Sequence, residues 1–413
     1  MEGLSWQNRI QFGVMILMAA VMPVSWRLGV WTAVLLALVS LVKLVADTVK
    51  GGRPFVNQAL NGWQRLAFCT MPAYVVCYAA SLLYSSNIAS GLEILGRKAV
   101  MLVFPLCFLL TDTTYMAKKH IRILFYALLM AVCGVFLYWC GVAVGKLFNG
   151  ASMASVTGIT FDVRHHSYFS LYAVVACVFV YFELESHWHS LPKWHKGLLF
   201  ASVVFIILYI VMINSRAGML SLYAMTVACA VHLGFRSRRW WAAFALFVAV
   251  GGFTVVSEVI IPGHNNRIIE TLKKDSDARI DINKSSFELA KGTSVFGKGV
   301  GDYGDELQDQ YVEDEKKLGG LNAHNQYIES FLAIGIPGLL CLLAWLILPL
   351  VCAVRNRKTL WPVMFFVGIV MFNLLFESML ERQMGILFIG FFMAVIVLIT
   401  SIDENKFCDM EEK

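Results

Sequence analysis

The residues best suited to chemistry are scattered arginines, one histidine and a few carboxylates, lying at the ends of apolar runs or in one long polar stretch. Arg97 and Lys98 open one apolar run, Arg164 precedes another, and Arg216 ends the tight turn Asn214-Ser215-Arg216 between two more. Arg267 and Arg279 lie in the polar stretch, which closes on Asn322-Ala323-His324-Asn325. Glu377, Glu381 and Arg382 separate the last two runs. A guanidinium stays charged and makes forked hydrogen bonds to phosphate oxygens, so several arginines converging on one cavity suit a diphosphate. A histidine, with an ordinary pKa of about 6.5, suits general-base work at neutral pH. The competing reading is that each charge snorkels to a membrane interface, and most histidines beside Asn are interfacial or structural.

The elements that position these residues are set by composition. Of 413 residues, 58% are hydrophobic and 15% charged. A soluble domain has about 25% charged residues. Apolar runs long enough to cross a hydrocarbon layer of ~30 Å recur along the whole chain, which excludes a soluble enzyme, a disordered scaffold and a nucleic-acid-binding module. The fold class is all-α: a polytopic integral membrane protein with about 12 transmembrane helices. The runs lie near 10–25, 28–46, 66–85, 94–111, 121–144, 166–183, 197–213, 217–235, 240–260, 327–353, 360–376 and 384–401. The tenth contains Gly335, Pro337 and Gly338 and is expected to be kinked or preceded by a short separate helix. The first lacks a small-residue cleavage site and reads as a retained span.

Basic residues orient these runs. Lys50, Arg53 and Arg65, then Lys118, Lys119 and Arg122, Lys193 and Lys196, Arg236, Arg238 and Arg239, and Arg355, Arg357 and Lys358 fall in alternate loops. The remaining short loops hold only isolated cations. Cytoplasmic loops collect Lys and Arg, so both termini are placed in the cytoplasm, and the net charge of +6 is topological and implies no nucleic-acid partner. Residues 261–324 form a large, partly helical loop between helices nine and ten, on the outer side, and so long a connection points to function. Within it, 284–290 reads as a short amphipathic helix and 297–301 as a flexible turn. The chain therefore divides into helices one to nine (1–260), a long outer loop (261–324), and helices ten to twelve with a cytoplasmic tail (325–413).

Other patterns carry less. Apart from Cys408, the cysteines sit in apolar runs, where Cys acts as a small apolar residue. Asp275-Ser276-Asp277 has the form of a metal–diphosphate site, but the loop is rich in acids and chance pairing suffices. His187, His189 and His195 lack a partnering Cys or carboxylate cluster for a metal. Gly297-x-Gly-x-Gly follows no apolar strand and reads as a backbone turn.

His324-Asn325 is followed, after residues 326–334, by Gly335-Ile336-Pro337-Gly338; Arg216-Ala217-Gly218-Met219-Leu220 opens a span; and Arg279 precedes Phe296-Gly297-Lys298-Gly299. With the long outer loop ahead of the His motif, these features resemble the O-antigen ligase and polymerase superfamily of membrane glycosyltransferases. The resemblance is concentrated in residues 205–345. Departures are Leu339-Leu340 where ligases sometimes carry Thr-Pro, Asn283 at a Trp position and Ser294 at a Pro position.

The resemblance implies an inverting glycosyl transfer that needs neither metal nor cofactor, at the periplasmic face of the bacterial inner membrane. The donor would be a glycan on undecaprenyl diphosphate. The acceptor hydroxyl would belong to lipid A-core, another glycan, or a protein Ser/Thr. His324 would be the general base, with Arg216 and Arg279 on the diphosphate. Asn325 belongs to the same motif, and Arg267, Arg164, Arg97 and Glu377 are substrate-binding candidates from topology. A secondary transporter is the reading from another class: about twelve runs with both ends inside suit a carrier, but carriers are built from repeats, and no internal repeat is visible.

Overall fold

A computed structural model describes residues 5–49, 57–150, 166–212, 215–236, 238–260, 276–314, 316, 318–357 and 359–402. Among the described residues the secondary structure is helical, without strands. The helices are α1 (Trp6–Val21), α2 (Trp26–Val49), α3 (Gly62–Ser81), α4 (Ile88–Ala99), α5 (Val103–Leu110), α6 (Lys118–Phe148), α7 (His166–His187), α8 (Lys193–Met212), α9 (Arg216–Val231), α10 (Trp240–Ile260), α11 (Ser276–Lys291), α12 (Tyr303–Glu313), α13 (Gln326–Arg355), α14 (Leu360–Phe376) and α15 (Gln383–Ser401).

Among the described residues, 8 helices are long and apolar enough to cross a membrane: α2, α3 with its 3-10 extension to Tyr84, α6, α7, α8, α9 with the π turn that follows it, α13 and α15. The apolar α14, at 17 residues, is slightly shorter. This is a multi-pass membrane protein. The run expected over 94–111 is not one helix: α4 gives way to a 3-10 turn at Val100–Leu102 before α5 begins. Pro105 accounts for the change, since it has no N–H to give the carbonyl of Met101 and its ring crowds that turn.

The helix ends gather at two faces. At the first, Lys43 Nζ donates to Asp112 O (2.5 Å), Asn57 Nδ2 to Phe108 O (2.8 Å), and Gln64 Nε2 to Thr400 Oγ1 (3.1 Å), while Arg122 pairs with Glu183. The basic segments around 118–122, 193–196 and 355–357 end on this face. At the second face the C-terminal ends of α3 and α14 meet the N-terminal ends of α4, α7, α13 and α15, and α11 and α12 dock there. Between the faces α15 is the central rod: Phe388, Ile389, Phe391 and Phe392 are fully buried.

Parts of the polar stretch fold as two amphipathic helices. In α11 Ile282 and Leu289 are buried with Ser285 and Ser286, so the helix is longer than the 284–290 expected and presents one stripe inward. In α12 the buried residues are Tyr303, Leu307 and Tyr311, spaced four apart along one face.

Candidate active site

The second face is built around an interrupted helix. Asn325 caps α13, its Oδ1 accepting from the backbone N–H of Tyr327 (3.0 Å) and Ile328 (3.2 Å). One helical segment later Gly335 adopts φ 64° and ψ −157°, a glycine conformation, and Pro337 follows. A broken helix leaves carbonyls and N–H groups without partners, which is costly inside a protein. The segment Val295–Gly299 supplies them. Lys298 N donates to Leu332 O (2.7 Å), Gly299 N to Ala333 O (3.1 Å), and Ile336 N to Val295 O (2.8 Å). The two backbones approach so closely that a Cβ on Gly335 would lie 2.0 Å from Val295 O, and one on Gly297 2.7 Å from Gly335 N. The two glycine motifs are thus halves of one splice. Val300 N and Gly301 N continue the docking onto Ser81 Oγ and Ser85 Oγ, both at 3.1 Å.

His324 stands just before this capped helix. Its φ is 46°, uncommon for a side-chain-bearing residue, and its N–H donates to Asn322 Oδ1 (3.2 Å). That conformation presents the ring to Glu377, with Nδ1 3.1 Å from Oε1. An ionised carboxylate only accepts, so Nδ1 carries the hydrogen and Nε2 keeps a lone pair. Glu377 Oε2 accepts from Ser167 Oγ (3.2 Å) at the start of α7. The imidazole is 29% and the carboxylate 15% exposed, so the pair can meet a ligand without being stripped of structure.

A buried carboxylate ties the two turns together. Glu329 Oε2 accepts from Ala323 N (3.0 Å), beside His324, and from Ser378 Oγ (2.9 Å), beside Glu377. Beneath lies a second polar cluster. Lys98 Nζ, wholly buried, pairs with Glu381 Oε1 at 2.7 Å, donates to Leu380 O at 3.0 Å, and lies 4.3 Å from the centre of the Tyr78 ring. Gln326 joins the same turn, accepting from Leu380 N (2.6 Å). Burial pushes the Glu381 carboxyl up, but the Lys98 ammonium and the hydrogen bonds from Lys98 and Gln326 outweigh it and hold the group below its usual value. Burial raises the Tyr303 phenol well above its usual value, and the Glu381 charge adds to the effect.

Residues 201–343 match the O-antigen ligase family. That segment, about a third of the chain, is similar to the O-antigen ligase superfamily. No curated protein matches the chain. The matched segment runs from within α8 to the middle of α13, closely overlapping the 205–345 that carry the sequence resemblance. It contains His324 and both halves of the splice. Ser167, Lys98, Glu377 and Glu381 lie outside it, so the O-antigen ligase segment is completed by helices from both ends of the chain.

The sequence-derived candidates divide accordingly. His324 and Glu377 meet directly. Asn325 uses its side-chain oxygen to cap α13. Arg97 faces away from its buried neighbour Lys98: its guanidinium pairs with Glu93 at 2.9 Å, and both groups are substantially exposed. The backbone of Arg216 is the first residue of α9, behind Ser215, whose Oγ accepts from Gly218 N (3.1 Å). Gly218 packs on Ser170 of α7, one turn from the Ser167 that holds Glu377, so the N-terminus of α9 shares the His324 face. Arg279 lies on α11; the side chains of Arg216 and Arg279, and all of Arg164, Arg267 and Asp275, lie outside the described residues. Sequence reasoning missed Glu329 and Ser167. Glu329 falls five positions after His324, and only the turn that folds Ala323 back onto α13 makes that spacing meaningful.

Proposed function

We propose that the protein transfers a glycan from undecaprenyl diphosphate to an acceptor hydroxyl at the periplasmic face of the bacterial inner membrane, acting as a ligase on lipid A-core. The observation that carries this reading is that His324, inside the segment that matches the O-antigen ligase family, is paired with Glu377 from beyond it. His324 Nε2 takes the proton of the acceptor hydroxyl, and its oxygen attacks the anomeric carbon. The bond from that carbon to the diphosphate oxygen breaks on the opposite side, so configuration inverts. Glu377 holds the ring and steadies the imidazolium that forms. Arg216 and Arg279 bind the departing diphosphate and stabilise its growing charge, aided by the positive end of α9. Arg267, Arg164 and Arg97 extend the cationic surface toward the glycan, and both chain termini are cytoplasmic. The step needs no metal ion.

The polyprenyl tail has a fitting place. A cavity of ≈ 350 Å³ lies between α9 and α14 and is lined by Ser221, Ala224, Ala228, Gly368 and Phe372. Its upper end at Ser221 is five residues below Arg216, about 7.5 Å along the helix. Small residues on both helices leave width for a branched isoprenoid beneath a headgroup held near His324.

The test is His324→Ala in a cell making lipopolysaccharide. Loss of all polymer on the core, with polymer still built on the lipid carrier, supports the ligase. Loss of long polymer with single repeat units still attached assigns the chain to polymerisation within the same superfamily, and loss of glycan from protein assigns it to protein O-glycosylation. An unchanged pattern refutes glycosyl transfer and returns the transporter. Transfer by purified protein in excess chelator supports the metal-free step, and full dependence on a divalent ion overturns it.

A further inference from the structure

A second cavity, at the opposite face, carries an assignment independent of the transfer reaction. It has a volume of ≈ 340 Å³ and lies among the ends of α6, α7, α14 and α15. That volume is in the range of small-molecule sites, about 300–1,000 Å³. Its walls and its rim differ sharply. Phe125, Val175, Phe179, Phe366 and Ile396 line the interior, whereas Lys118, Lys119, Arg122 and His187 surround the mouth.

The charge is organised. Among the lining residues the one carboxylate is Glu183, and it is already engaged: Arg122 holds it through both nitrogens of a forked pair, Tyr126 OH donates to it at 3.0 Å, and His187 Nδ1 stands 3.6 Å away. The lining residues therefore carry more cations than carboxylates. The apolar part runs inward from Lys118 to Phe125, about 10 Å along α6, and from His187 to Val175, about 18 Å along α7. A polar, cation-rich mouth at the end of a span, above an apolar slot of that depth, matches a phosphate headgroup with part of one acyl chain beneath it. A soluble anion would leave the slot unfilled, and a zwitterionic lipid would bring its own cation to a rim that has cations already.

We propose that this cavity is a binding site for an anionic phospholipid of the bilayer leaflet on the basic face. Lys118 and Lys119 contact the phosphate, and Val175, Val178 and Phe179 contact the acyl chain. Bound there, the lipid bridges α6 and α7 to α14 and α15, the helix that reaches the Glu381 turn at its other end.

The experiment is native mass spectrometry of the full-length protein in detergent, offered equal dioleoyl phosphatidylglycerol and dioleoyl phosphatidylcholine, with thermal unfolding run in parallel. The expected result is preferential retention of phosphatidylglycerol. The double variant K118Q/K119Q weakens that retention by about 30-fold, since each lysine near an anionic surface contributes roughly fivefold. Val178→Trp, which fills the slot and leaves the rim intact, abolishes it. Equal retention of the two lipids, wild-type selectivity in either variant, or an equal rise in unfolding temperature from inorganic phosphate alone overturns the assignment. Because the rim lies at the opposite face from His324, the outcome is separate from that of the transfer assay.

Discussion

Replacing Glu377 with Gln probes the proposed chemistry most directly. The substitution keeps the shape and still accepts the Ser167 hydroxyl, but a Gln side chain offers an NH₂ as readily as an oxygen to His324 Nδ1, 3.1 Å away. If the amide donates, the ring hydrogen moves to Nε2 and the base is lost. If the amide oxygen accepts, the tautomer is kept but the charge that steadies the imidazolium is gone. General-base catalysis supplies about 10²–10⁴-fold, and a neutral isostere of the orienting carboxylate in a hydrolase triad costs about 10⁴. The expected loss for Glu377→Gln is therefore ~10²–10⁴ in kcat, with KM for the lipid-linked donor little changed. Because one group acts through the other, the double variant with His324→Ala should be no slower than His324→Ala alone. The assay is glycan transfer in detergent or proteoliposomes, with thermal unfolding as a fold control. Activity within threefold of wild type, or losses that multiply in the double variant, would refute the claim that Glu377 works through His324.

Four further outcomes follow from the same face. Gly335→Ala places a methyl against Val295 O and opens the splice; losing its three inter-backbone hydrogen bonds at ~1–3 kcal/mol each, the variant should unfold many degrees lower or fail to accumulate. Lys98→Met strands the buried Glu381 carboxylate and should cost ~3–5 kcal/mol, read by denaturation in detergent. Since Glu381 has a lowered pKa when folded, its contribution is complete above the unfolded value of about 4.3 and fades as pH falls through the lower folded value. The unfolding temperature of wild type should accordingly drop in acid more steeply than that of Glu381→Gln. Asn325→Ala removes the α13 cap, with an expected cost of ~1 kcal/mol and a larger fall in transfer rate, because the next residue back is His324.

Much of this architecture was readable from residue types because a bilayer allows few solutions. A stretch of apolar residues in lipid has to satisfy its own backbone, so its helicity follows from composition. The break at Gly335 was signalled by Gly and Pro in a long run. The break at 100–102 was not recognised, since Pro105 sits in an uninterrupted apolar stretch. The tyrosine and leucine stripe of α12 was overlooked for the opposite reason: it is short and its hydrophobic positions are diluted by acids. At the site, His324 was recognisable by motif, but its carboxylate partner was visible only as one of several charges between spans. Arg97 and Lys98 show the limit best. Adjacent and both cationic, they point about 100° apart on a helix, and only the fold decides that Lys98 is buried against Glu381 and Arg97 pairs at the surface.

The partners that meet around His324 are far apart along the polypeptide, and this orders its assembly. Lys98 is made early, whereas Glu377 and Glu381 precede the last span. While the ribosome is still delivering α14, the early helices hold a buried ammonium with nothing opposite it, and the imidazole has no carboxylate to orient it. Completion of the pocket waits for the final hairpin to enter the bilayer, so a chain cut short after α13 would be inserted yet chemically inert.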